Sequence, residues 1–136
     1  MFLRIIGLML LALTLSACSE PPYNNLDNAQ LASMLQQKNV PIYDIRRVDE
    51  WRQTGVIKGS KLLTFVDGGG RVKPRFLEKF TAKVGQNDPV ILICRTGNRT
   101  DALARHLVEQ MGYTQVYNVR NGISRWIGDN QPVTRI

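Results

Sequence analysis

The chain has 136 residues, 43% hydrophobic and 21% charged, with no internal repeat or low-complexity tract; this is the profile of one globular domain rather than two. Net charge is +7, but the basic residues are scattered. The densest group (Arg71, Lys73, Arg75, Lys79) lacks the interleaved aromatics of a strand-binding surface, so no nucleic-acid partner is expected and a solvated basic face is.

Residues 1–17, MFLRIIGLMLLALTLSA, carry a positive charge at Arg4 and an apolar run from Ile5 to Leu15, the length of a signal-peptide core. The run falls short of the roughly 20 apolar residues of a comfortable membrane span. Leu15-Ser16-Ala17-Cys18 resembles the lipobox of bacterial lipoproteins. That resemblance implies cleavage before Cys18, lipidation of Cys18, and a domain held in the periplasm at the cell envelope. Ser19, in place of Asp, points to the outer membrane. Residues 18–26 are then expected to be a lipidated tether, and 27–136 the folded domain. With Cys18 acylated, Cys94 is the single remaining thiol, which excludes an intramolecular disulfide and dithiol redox chemistry. One histidine and one thiol do not make an ordinary zinc site.

Asp27-Asn28-Ala29-Gln30 reads as a capping box opening a helix with Leu31, Met34 and Leu35 on its apolar face, ended by Asn39. Val40–Ile45 reads as a short buried strand. Val48–Thr54 reads as a brief helix stopped by Gly55, and Lys61–Thr64 as a second strand. After the Asp67–Gly70 turn, Phe76, Phe80 and Val84 recur at helical spacing, predicting a helix over Pro74–Val84. Val90–Ile93 is a continuous apolar run, as expected of a strand buried on both faces. A helix over Thr100–Met111, a strand over Gln115–Val119 and a short helix over Ile123–Ile127 complete the chain. Strands alternating with helices predict an α/β domain with a mostly parallel central sheet flanked by helices.

In such sheets ligands gather at the carboxyl ends of the strands, and the most apolar strand ends at Cys94. Arg95-Thr96-Gly97-Asn98-Arg99 follows, and then a helix. Gly97 permits positive φ, so the loop can curl and turn its N–H groups inward to form an anion nest, reinforced by the helix N-terminus. Arg95 and Arg99 add cations, and such surroundings favour the thiolate of a cysteine at the floor. A merely structural cysteine requires neither the cations nor the nest.

At this point the chain, from about Leu26 to Gln131, resembles a single-domain rhodanese. Ile42-Tyr43-Asp44-Ile45-Arg46 with Glu50-Trp51 resembles the early strand and helix of that family. Gly55-Val56-Ile57-Lys58-Gly59-Ser60 resembles its Gly-His-Ile-x-Gly-Ala segment, with Val56 where His is frequent. Cys94–Thr100 resembles its active-site loop, and Gly122 through Trp126 its closing Gly-x-x-x-Trp. The resemblance implies that Cys94 accepts a sulfane sulfur as a persulfide and passes it to a thiophilic acceptor. Arg95, Thr96, Gly97, Asn98 and Arg99 would bind a small anionic donor such as thiosulfate, no cofactor is expected, and Asp44, Arg46 and Trp126 would be structural.

Three rival readings of the sequence compete with this one. A phosphatase of related fold carries its loop arginine one position later, where Thr100 stands here. A Cys–His hydrolase would need His106, which falls away from the apolar face of its helix. A non-enzymatic binding or sulfur-carrier module is the rival from another class.

Overall fold

The computed structural model describes residues 19–37 and 39–136. The leader and Cys18, with the cleavage and lipidation expected of them, lie outside the described residues. Among the described residues no helix is long and apolar enough to cross a membrane.

Among the described residues five strands form one sheet: β1 (Asn24–Leu26), β2 (Ile42–Asp44), β3 (Lys61–Leu62), β4 (Val90–Ile93) and β5 (Val116–Val119). Their order is β1-β5-β4-β2-β3, and every pairing is parallel. Five α-helices among the described residues accompany them: α1 (Asn28–Gln37), α2 (Val48–Thr54), α3 (Phe76–Thr81), α4 (Asn98–Arg105) and α5 (Gly122–Gly128).

The pleat of β4 explains why its sequence reads as an unbroken apolar run. Val90, Leu92 and Cys94 face a core shared with Phe76 and Phe80 of α3 and with Leu103 and Leu107. Ile91 and Ile93 face the opposite core with Leu31 of α1 and with Ile123 and Trp126 of α5. All four β4 residues have no solvent exposure, because helices cover both faces of a parallel sheet.

The capping box of α1 forms as expected: Asp27 N–H donates to Gln30 Oε1 at 2.9 Å, and Gln30 N–H to Asp27 Oδ1 at 2.8 Å. Four expectations shift. Asn24–Leu26, read from sequence as part of a tether, is an edge strand, with Leu26 paired to Val119 and only 5% exposed. Three residues, two of them Asn, give no strand signal on their own; pairing with β5 supplies it. The Pro74–Val84 helix shortens to Phe76–Thr81. Lys83 and Val84 N–H groups both converge on the Phe80 carbonyl, and Asp88 captures the Gly85 N–H, so the chain turns off while Val84 stays buried. The helix expected from Thr100 begins two residues earlier, at Asn98, and after Arg105 widens into a π-turn over His106–Gln110. The Lys61–Thr64 strand is regular for two residues only. Leu63 and Phe65 still donate to the carbonyls of Asp44 and Ile45 before the chain folds back through a Val66–Val72 bridge.

Candidate active site

Parallel strands bring the loops after β2, β3, β4 and β5 to one end of the sheet, and Cys94 stands there, one residue beyond β4. Its residue is 1% exposed. The loop curls over the sulfur: Gly97 N–H points at Cys94 Sγ from 3.2 Å, and Thr100 Oγ1 lies 3.3 Å from it. Arg95, Thr96 and Asn98 are exposed on the outside of the curl. Among the described residues, the amides of Thr96, Asn98 and Arg99 have no acceptor in the protein. These are the unfilled donors at the start of α4, and they give the loop its capacity for an anion.

Two glycines make the curl possible. Gly97 sits at φ +92°, and a β-carbon there would lie 2.1 Å from the Arg120 carbonyl oxygen. Gly122 sits at φ +66°, where a β-carbon would lie 2.2 Å from the Arg95 carbonyl oxygen. The start of α5 therefore buttresses the loop from beneath. Ile123 N–H donates to the Cys94 carbonyl at 2.9 Å and Ser124 N–H to the Arg95 carbonyl at 3.0 Å. These bonds hold the Cys94 and Arg95 carbonyls against the start of α5, while Gly97 N–H points at the sulfur.

From sequence, Arg95 and Arg99 both appear as free cations. In the structure Arg95 is exposed and, among the described residues, has no carboxylate partner, whereas Arg99 does. The Arg99 Nη1 and Nη2 groups donate to the two oxygens of Glu50 at 2.8 and 2.7 Å, a bidentate pair joining the first turn of α4 to the first turn of α2. Glu50 is also held by the Arg47 N–H at 3.0 Å. Burial alone would raise the Glu50 carboxyl, but hydrogen bonds from Arg99 and the Arg47 amide outweigh it and bring its pKa down to about 2. Arg99 is raised in turn, chiefly by its hydrogen bond to Glu50. Two of the five guanidinium N–H donors serve Glu50, so three remain for an anion over the loop.

In the sequence Glu50 has no visible role of its own beyond its place in the Asp44–Trp51 stretch of family resemblance. The signal available was a carboxylate at the third position of α2, directly after the strand-end motif Asp44-Ile45-Arg46. Thr100, Gly122 and Ile123 were likewise not singled out for the loop they support. Asp44 and Arg46 form a separate pair beneath the site, and Trp126 donates its indole N–H to the Pro132 carbonyl at 2.8 Å. His106 is exposed on the far turn after α4.

A five-stranded parallel sheet thus carries a buried cysteine at a strand tip, under a curled loop with unfilled amides. The rhodanese-like domain profile matches residues 27–129, and the chain belongs to the rhodanese-like domain family. It is 28% identical over 104 residues to a thiosulfate sulfurtransferase GlpE of Pseudoalteromonas translucida, spanning 76% of this chain and 89% of that one. It is 27% identical over 125 residues to rhodanese-like domain-containing protein 17 of Arabidopsis thaliana, covering 88% and 78%. Among solved structures, a rhodanese-related protein of Thermoplasma volcanium superposes with a TM-score of 0.63 at 25% identity, covering 82% of this chain and 98% of that one.

Proposed function

We propose that the protein is a sulfurtransferase that moves a sulfane sulfur from an anionic donor such as thiosulfate to a thiophilic acceptor through a persulfide on Cys94. The Cys94 thiolate attacks the outer sulfur of thiosulfate; a sulfur–sulfur bond forms at Sγ while the donor's own breaks, and sulfite leaves with that electron pair. An acceptor such as cyanide then attacks the terminal sulfur, leaves as thiocyanate, and returns the electron pair to Sγ. The loop amides and Arg99 neutralise the charge gathered at the sulfur in both steps. The observation that carries this reading is the Gly97 N–H on Sγ at 3.2 Å, within a loop whose other amides are unfilled. A relative named for thiosulfate sulfur transfer supports the choice of donor.

Protein lacking residues 1–18 is expected to convert thiosulfate and cyanide to thiocyanate, and to gain one sulfur atom by intact mass with thiosulfate alone. Cys94→Ser reduces both to background. Undiminished turnover in that variant removes Cys94 as the nucleophile. The lipobox-like segment supports a further part of the proposal, an anchor at Cys18 that holds the domain at the periplasmic side of the outer membrane. Cys18→Ala should move the protein from the membrane to the soluble periplasmic fraction; continued membrane retention would refute the anchor.

A further inference from the structure

An open cleft of about 590 Å³ lies between Leu62–Thr64 and the start of α3. Its floor is apolar, built from Trp51, Leu63, Pro74 and Phe76. Lys73, Arg75 and Lys79 line its rim, and Arg71 stands on the adjoining turn. Arg75 is paired with Glu78 at 3.2 Å, and Asp67 is occupied by the backbone N–H groups of Gly69 and Arg71. Arg71, Lys73 and Lys79 are exposed and, among the described residues, meet no carboxylate. Leu62 and Val72 are 39% and 52% exposed along the same stretch, so the basic rim borders uncovered apolar surface.

The cleft opens at the reactive end of the sheet. Leu62 and Ile93 are both in register with Asp44, which places the cleft wall two strand spacings, roughly 10 Å, from the strand that delivers Cys94. Trp51 of the floor directly follows Glu50, the partner of Arg99, and Thr64 Oγ1 donates to the Arg46 carbonyl at 2.9 Å.

The chemistry of the lining selects its occupant. A small anion needs convergent fixed donors, and here the cations are long side chains spread around a wide rim. Nucleic-acid bases need an open ring face, and Trp51 and Phe76 are only 6% and 1% exposed. An apolar side chain flanked by carboxylates satisfies both floor and rim. We propose that this cleft docks an acidic segment of a thiol-bearing acceptor protein and so delivers its thiol to the Cys94 persulfide. The docking role rests on the sulfur-transfer reading above; the cleft supplies affinity and orientation while the loop supplies chemistry.

Two synthetic peptides test it, each with one cysteine and a leucine, flanked by glutamates in one and by lysines in the other. Dye-labelled forms with serine for cysteine are titrated by fluorescence anisotropy, and sulfur delivery to the cysteine forms is timed beside delivery to cyanide. The glutamate peptide is expected to bind about tenfold tighter at low salt, with the preference fading as ionic strength rises. Lys73→Glu with Lys79→Glu reverses the preference and leaves cyanide turnover unchanged; Lys79→Glu alone, on an exposed helix face, cuts the preference at least twofold and also leaves cyanide turnover unchanged. Equal binding of the two peptides, or a preference that survives the charge reversal, overturns the docking site. Indifference to peptide charge, together with binding to phosphatidylglycerol vesicles that the double variant loses, assigns the rim to a lipid surface and overturns it as well. Absent cyanide turnover in the parent protein counts against the sulfur-transfer reading, while anisotropy still decides the docking.

Discussion

Two arginine–carboxylate pairs have carboxylates close in sequence, Asp44 and Glu50, and differ in almost everything else. Asp44 and Arg46 are 0% and 1% exposed at the side chain; Glu50 and Arg99 are 8% and 22%. The Arg46 guanidinium donates to both Asp44 oxygens, to Thr54 Oγ1 at 2.9 Å and to the Gly55 carbonyl at 3.0 Å. Trp51 Nε1–H adds a further bond to Asp44 at 3.0 Å. That pair is local, saturated and sealed, and it ties the end of β2 to α2. The Glu50–Arg99 pair spans 49 positions, leaves three guanidinium hydrogens uncommitted and borders solvent at the loop. One pair is a strut; the other holds a cation where an anion can reach it.

The largest effect that separates them is on stability. Arg46→Ala leaves Asp44 buried without its cation, and removing one partner of a buried pair typically costs about 3–5 kcal/mol. Urea unfolding should show a loss of that order, with thiosulfate KM unchanged in the fraction that remains folded. A loss below about 1 kcal/mol, the scale of a surface pair, would put Arg46 in the same class as an exposed cation.

Arg99→Ala should show the reverse pattern. Its guanidinium keeps three uncommitted N–H donors in the first turn of α4, so thiosulfate KM is expected to rise about tenfold, equivalent to about 1.4 kcal/mol of donor binding. The stability loss should be smaller than in Arg46→Ala, because Glu50 keeps the Arg47 amide and some water. Steady-state kinetics beside urea unfolding gives both values. An unchanged KM would leave Glu50–Arg99 as a second strut and erase the contrast.

The same two pairs show how far sequence reasoning reaches. Alternation of apolar runs with helical spacing revealed the α/β class, β2, β4 and the limits of α2, because burial of a two-faced sheet writes itself into consecutive residues such as Val90–Ile93. The curl of the Cys94–Arg99 loop was legible as well, since Gly97 supplies the positive φ that a tight turn at a strand end requires. The Glu50–Arg99 pair was not. It joins residues 49 apart, and local spacing carries no information about which carboxylate a given arginine meets. β1 was missed for a related reason, since Asn24–Leu26 becomes a strand only against Tyr117–Val119, some ninety positions away. The buttress from Gly122 and Ile123 depends on the same kind of distant approach.

The finest discrimination comes from acid. Glu50 has a folded-state pKa of about 2 against an ordinary 4.5, so folding favours its ionised form. Its contribution to stability is therefore fully present above pH 4.5 and drains away as pH falls from 4.5 towards 2, where the folded protein also takes up the proton. Glu50→Gln removes the titrating group but keeps the shape. The gap in unfolding free energy between the parent protein and Glu50→Gln should be constant from neutral pH to about 5, then narrow steadily below 4.5. The parent's gap over Arg99→Ala should narrow across the same window, because protonated Glu50 no longer distinguishes a guanidinium from its absence by charge. A gap that holds its neutral value down to pH 2 would mean that the carboxylate gains nothing from Arg99, and the bridge from α2 to the Cys94 loop would then rest on packing alone.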